Sequence, residues 1–181
     1  MMMQAVEPKT ERNLDGYGAR PIAWSRVRQR LEEGFTQAPK TGGPSRHTTW
    51  LTTINPDGSP HVMPLGSLWI DGAFYFTSGP GTRKGKNLSR DPRCALAIAT
   101  EPFDLVIEGD ARRVMDAAML ERLAEAYRPD WNPTVREGAL TAEYSAPSAG
   151  PPPWNVYEVK PKTVYALATE EPGGATKFVF K

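Results

Sequence analysis

The sequence predicts a mostly β domain, a split β-barrel of about six to eight mainly antiparallel strands with a few short helices. Three observations point there. From His47 onward, short runs of β-branched and aromatic residues recur between turn residues. No repeated βαβ pattern and no solenoid-length repeat interrupts them. A sheet of many short strands protects its edges most economically by closing on itself.

Residues 1 to about 20 are polar, mixed in charge and glycine-containing, which reads as a flexible arm. A short helix follows, with Ser25 as the expected N-cap, Trp24 as a staple residue, and Val27 and Leu31 at helical spacing. The stretch "TQAPKTGGPS" breaks it as a linker. Residues 1–46 thus form an arm, helix and linker, and residues 47–181 the barrel domain.

The barrel opens with "TTWLTTI" and "HVMPLGSLWI", joined by the turn chemistry of "NPDGSP". Asp71-Gly72 is a tight hairpin signal leading into "AFYFTS". "RCALAIAT" and "FDLVIEGDARRV" add two strands; the second alternates Phe103, Leu105 and Ile107 against Asp104, Val106 and Glu108. Asp116 is expected to cap a helix with Leu120, Leu123, Ala124 and Tyr127 on one face. "NPTVREGALTAEYSAPSAGPPP" reads as irregular, and residues 128–153 are expected to form a lid or substrate wall on length alone. "WNVYEVK", "TVYALAT" and "TKFVFK" read as closing strands, the last two joined by "EEPGGA".

Composition narrows the function classes. The 181 residues carry a net charge of +1, which gives no field to recruit nucleic acid or an anionic membrane. No run approaches the roughly 20 apolar residues of a spanning helix, and the N-terminus does not read as a signal peptide. The single cysteine, Cys94, fits a reducing compartment, so a cytoplasmic location is expected, and Cys94 itself reads as a small buried hydrophobe. Two histidines and one cysteine are too few for a zinc site, and no metal is expected.

Chemistry concentrates in "GPGTRKGKNLSRDP", Gly79 to Pro92. One reading is a solvated basic helix. The other is an anion cradle: glycines allow close backbone approach, Thr82 sits at the N-cap, and Arg83 and Lys84 fall in the first turn. Cations there oppose the helix dipole unless an anion compensates them.

"FYFTSGPGTRKGKNLSRDPRCALAI" resembles the pyridoxamine 5′-phosphate oxidase-like superfamily of flavin- and deazaflavin-binding split barrels, most closely its actinobacterial F420-dependent oxidoreductase branch. The pattern is carried by Thr82, Arg83-Lys84, Asn87-Leu88 and Asp91-Pro92-Arg93. "NPDGSPHVMPLG", "DLVIEGDARRV", "PPPWNVYEV" and "TVYALATEEPGGATKFVFK" extend it over roughly residues 47 to 181.

The resemblance implies F420 or FMN as cofactor. Arg83 and Lys84 would hold its phosphate, with Ser78, Thr82 and Asn87 as lesser contacts. Val62, Met63, Pro64 and Leu65 would lie along the ring, and Phe76 and Thr77 match an aromatic-Thr pair beside it. For Val62, Leu65 and Phe76, plain core packing is the competing explanation. His61 is either a phosphate or substrate partner or a half-exposed strand residue. The resemblance also implies a homodimer with cofactor sites at the subunit interface. Trp154 would come across from the partner, and Lys177 stands where relatives often carry Arg. Lys86, Arg90 and Arg93 would serve the anionic tail of F420.

The expected activity is hydride transfer between bound F420 or FMN and a small organic acceptor, with no catalytic acid assigned. The chain lacks the Arg-rich ending of vitamin-B6 oxidases, which argues against pyridoxamine phosphate as substrate. The alternative is a non-catalytic flavin- or tetrapyrrole-binding module. A nucleic-acid binder is disfavoured by the charge balance.

Overall fold

The structure, a computed structural model, describes residues 6–34, 48–143, 146 and 148–180. Its elements run β1 Thr10–Asn13, α1 Trp24–Glu32, β2 Thr48–Ile54, β3 Pro60–Ile70, β4 Ala73–Ser78, α2 Arg83–Arg90 and β5 Arg93–Ala99. Then follow β6 Phe103–Arg113, α3 Ala117–Trp131, β7 Thr134–Arg136, β8 Ala139–Thr141, β9 Asn155–Ala168 and β10 Ala175–Val179.

Six antiparallel strands close a barrel in the order β9-β4-β3-β2-β5-β6, with β6 pairing back onto β9. β10 continues from the far half of β9, and β1 pairs with β10. The mostly β split-barrel expectation holds. Alternation explains the faces: in β6, Phe103, Leu105, Ile107, Gly109 and Ala111 are buried while their neighbours are not. β4 has apolar residues on both faces because it separates two cores. Phe74 and Phe76 pack inside the barrel with Leu51, Leu96, Ile107 and Val159. Ala73 and Tyr75 pack outside it against Leu120, Leu123, Ala124 and Tyr127 of α3. The Asp116 carboxylate caps α3 by accepting from the Met119 amide at 2.8 Å, as its position in the sequence predicts. Asp71 and Gly72 take the positive φ values of 54° and 77° that a tight hairpin requires.

Four expectations need correction. β1 lies inside the predicted flexible arm, and it is held down by the Lys9 amide on the Val179 carbonyl and by the Trp24 indole on the Val6 carbonyl. Ser25 is not the N-cap of α1; that position is Ala23, which makes no side-chain cap, while Trp24 packs on Phe178 and Phe180. The segment read as irregular contains the β7–β8 hairpin, turning at Glu137 and Gly138, both at positive φ. The separate strands predicted at "WNVYEVK" and "TVYALAT" are one 14-residue strand, β9. The predicted linker "TQAPKTGGPS" lies outside the described residues, as does His47.

β9 survives its internal Pro161 because the ladder to β6 shifts register there. Gly109 pairs with Pro161 and Glu108 with Thr163, leaving Lys162 as the extra residue of a bulge, where a missing N–H is tolerated. Lys162 turns out to bond Asp110 at 2.5 Å. The bulge also brings β9 tightly over Gly109, where an added Cβ would lie 2.7 Å from the Lys160 carbonyl oxygen and 2.8 Å from Val159 Cγ1. Gly109→Ala is therefore expected to lower stability by about 1–3 kcal/mol. Gly16→Ala, at a site with nothing within 4 Å, should stay within about 0.5 kcal/mol of the wild type, both read from urea midpoints.

Candidate functional site

The barrel has a gap in its hydrogen bonding beside α2. β2 pairs with β3 along Pro60 to Gly66, but β4 pairs with β3 only from Ser67 to Ile70. Among the described residues no strand covers the other edge of β3 between Pro60 and Gly66. After Ser78 the chain leaves β4, turns through Gly79-Pro80-Gly81 and starts α2 there. Asn87 ties that helix to the β2–β3 hairpin, donating to Thr53 Oγ1 and Asn55 Oδ1 at 3.1 Å each. Arg90 adds a bond to the Ile54 carbonyl.

Thr82 organises the start of α2. Its hydroxyl accepts from the Gly85 amide at 3.1 Å, lies 3.0 Å from Ser78 Oγ and donates to the Gly79 carbonyl at 2.8 Å. This cap leaves the Arg83 and Lys84 amides with no partner inside the helix. Gly85 is needed for the turn, since a Cβ there would sit 2.4 Å from the Gly79 oxygen. Gly79 is pressed in the same way by the Ala149 carbonyl oxygen, also 2.4 Å from an ideal Cβ. Residues 148–150 therefore form a strap across the start of α2. It belongs to the stretch predicted to be a lid, and its contact with the cradle was not legible from the sequence.

Lys84 lies under that strap, only 5 % exposed. Its ammonium has a 3.5 Å bond to the Ser148 carbonyl and no carboxylate at ion-pair distance among the described residues. Burial pulls its pKa below the ordinary lysine value. His61, half-buried on β3, is also held below its ordinary pKa, first by burial and then by the positive charges of Arg83 and Lys84. The structure thus brings His61, exposed Arg83 and buried Lys84 together at a helix N-terminus. Asp57, in the hairpin turn, is the acid that senses Arg83, but its carboxyl is held down chiefly by Ser59.

The other expected site residues divide. Met63 and Leu65 are half-buried on the His61 face of β3, whereas Val62 and Pro64 are exposed on the opposite face, so the four side chains do not line one surface. Thr77 and Ser78 end β4 beside the cradle. Phe76 has no exposed surface and stacks on Tyr157 at 5.4 Å, so its side chain is core. Asn87 spends both amide hydrogens on the hairpin and is a brace. Trp154 is buried in its own chain, where its indole holds the Gly150 carbonyl at 2.9 Å and its ring meets Trp131 edge-on. It supports the strap from below. Lys177, on β10, lies over the Tyr165 ring of β9. Its partner Tyr165 and Asn155, which pairs with the cradle end of β4, are about 30 Å apart along β9.

Of the cations expected to serve an anionic tail, Arg90 holds Ile54 and Arg93 forks onto Asp91 at 2.9 and 2.6 Å. The Arg93 bond draws the Asp91 pKa down to about 2. Lys86 is exposed. Burial pushes the Cys94 thiol up to about 12, which excludes it as a nucleophile near neutral pH. Among the described residues there is no cluster that could hold a metal and no helix long and apolar enough to cross a membrane.

The family described as pyridoxamine 5′-phosphate oxidase matches residues 35–168. No curated protein matches the chain. Among solved structures it is similar to a Listeria innocua protein provisionally named as a pyridoxamine 5′-phosphate oxidase, at 20% identity and TM-score 0.54, covering 79% of this chain and 96% of that one. General Stress Protein 26 from Bacillus anthracis overlays at 14% identity and TM-score 0.53, covering 78% and 91%. A NimC/NimA family protein from Clostridium acetobutylicum overlays at 13% identity and TM-score 0.52, covering 85% and 92%. At these identities the likeness shows the fold.

The cluster makes a pH prediction. Because folding disfavours protonated His61, stability from this group is present above the ordinary histidine pKa and declines as pH falls through and below it. An anion between His61, Arg83 and Lys84 reverses the cause, so inorganic phosphate should raise the His61 pKa. The chain has two histidines, so proton NMR with a His47→Gln variant assigns the resonance. A His61 titration that ignores phosphate contradicts the cradle.

Proposed function

Because the chain belongs to the pyridoxamine 5′-phosphate oxidase family, we propose that it is an oxidoreductase holding one phosphorylated flavin-type cofactor, FMN or F420, between α2 and the free edge of β3. The observation that carries this is Lys84: a desolvated ammonium with no carboxylate at ion-pair distance among the described residues, at a helix N-terminus whose first amides have no partner inside the helix. A lysine is rarely buried without a counter-charge, and a phosphate supplies one.

Lys84 would act as the buried point charge, Arg83 as the exposed fork, and His61 as a third donor. Met63 and Leu65 would give an apolar bed, and the unpaired β3 backbone would meet the polar rim of the ring. The strap from Ser148 to Gly150 would keep water from the phosphate. When bound, the cofactor supplies hydride chemistry with a small organic molecule, while the chain binds, orients and desolvates it. No side chain at the cradle is assigned as a proton donor. With Arg90 and Arg93 engaged, Lys86 is the remaining cation of that set for a long anionic tail. The phosphate and ring contacts therefore carry the proposal without deciding between FMN and F420.

The proposal includes a homodimer. Trp50, Val62 and Leu167 are 42, 50 and 47 % exposed and share the outer barrel face with Ala95, Ala97 and Tyr165. A second copy would cover these apolar groups. It would also let Lys177 approach a cradle that its own chain keeps about 30 Å away along β9.

Lys84→Met separates this function from a structural role. Removing an uncompensated buried charge should raise the melting temperature of the ligand-free protein. It should also weaken FMN and F420 binding at least tenfold, about 1.4 kcal/mol, in fluorescence-quenching titrations. Arg83→Ala, at an exposed position, should weaken binding less and leave the fold unchanged. A Lys84→Met protein that binds both cofactors as the wild type does would refute the assignment.

A further inference from the structure

Beside the β-bulge the outer face of the barrel carries a cavity of about 400 Å³, and none of its lining residues lies on β3 or α2. The strand register explains it. Thr52, Ala95, Glu108 and Thr163 stand opposite one another across β2, β5, β6 and β9. All but Glu108 are short. In the adjoining row Arg93 faces Asp110, with the bulge residue Lys162 beside them. Long side chains therefore border small ones, which leaves a hollow on the sheet. The charges lining it are paired except one. Lys162 bonds Asp110 at 2.5 Å, and Arg93 forks onto Asp91. Arg90 is engaged by the Ile54 carbonyl and does not line the cavity. Glu108 is exposed, and among the described residues its carboxylate has neither an ion pair nor a hydrogen bond.

We propose that this cavity is a second binding site, separate from the cradle, for an apolar organic cation: a primary amine whose ammonium pairs with Glu108 and whose hydrocarbon part lies over Ala95 and against Ile54. The volume and the largely apolar lining, with a few charged groups among it, are those of a small-molecule site. Charge selects the ligand. An anion would meet two carboxylates, Glu108 and Asp110, and would find both lining cations already engaged. A cation meets a carboxylate that lacks a partner, and the contact is a charge-assisted one. Nothing here depends on a cofactor at α2. Ala95 also belongs to the face assigned above to a second copy, so the cavity opens at the margin of that contact.

The probes are tryptamine and tryptophol, which share an indole and its ethyl arm and end in an ammonium and a hydroxyl respectively. In proton–nitrogen NMR titrations of the full chain, tryptamine should shift the backbone amides of Ala95, Gly109 and Thr163. It should bind at least about fivefold tighter than tryptophol, the range of one charge-assisted contact at a partly exposed site. Glu108→Gln, at an exposed position, should bring the two probes within about twofold of each other. Ala95→Leu should fill the hollow and abolish binding of both. Inorganic phosphate at constant ionic strength, directed at the cradle, should leave tryptamine binding unchanged. Equal affinity for the two probes, a preference unmoved by Glu108→Gln, or shifts confined to other strands overturns the inference and leaves the cradle standing. Failure of both probes to bind overturns it too, whether the cavity stays empty or a second copy closes it.

Discussion

β9 pairs with β6 along one edge and with β4 and then β10 along the other, and the geometry of the molecule follows from that sharing. Because β4 is joined to the near half of β9, it reaches only the far half of β3. The near half of β3 keeps an open backbone edge in an otherwise closed barrel. Closure demands a bulge at Glu108/Gly109, and the bulge in turn demands glycine at 109 and tolerates proline at 161. The opening beside β3 is therefore a product of strand pairing.

Into that opening the chain places a helix whose charges oppose its own dipole. α2 begins with Arg83 and Lys84 and has no acidic residue in its first turn. In isolation this arrangement is unfavourable, and burying Lys84 under the Ser148–Gly150 strap makes it more so. The compensations visible in the structure are local: the Thr82 cap, the Asn87 brace to the β2–β3 hairpin, and the indole of Trp154 holding the strap. None of them neutralises the ammonium. On the proposed reading, a bound anion would supply the missing compensation.

The barrel and the capped start of α2 were legible in the sequence because both rest on local chemistry. Alternation in Phe103–Ile107, the Asp71-Gly72 turn, the Asp116 cap and the Thr82-Arg83-Lys84 start of α2 are read within a few residues of themselves. What was missed depends on partners distant in the chain. β1 is wholly polar and exposed, and it is a strand only because β10 offers it an edge. Pro161 looks like a break until the β6 bulge is seen opposite. Phe76, Asn87 and Trp154 carry family-like positions, yet their side chains are occupied by Tyr157, by the hairpin and by the strap. Residues 148–150 gave no signal of reaching α2, since that contact joins segments more than sixty residues apart. His61 read as ambiguous, and it gained weight from charges on another element.

The central claim is that a phosphate dianion completes the charge of Lys84. Phosphorus NMR of FMN bound to the wild-type protein tests it on the phosphate itself, because the second ionisation of a free phosphomonoester lies near pH 6, about where its resonance moves. The account predicts a bound resonance shifted from the free one and still dianionic well below that pH. A bound resonance that titrates as free FMN does would mean that Lys84 and the start of α2 do not touch the phosphate, and the account would fail.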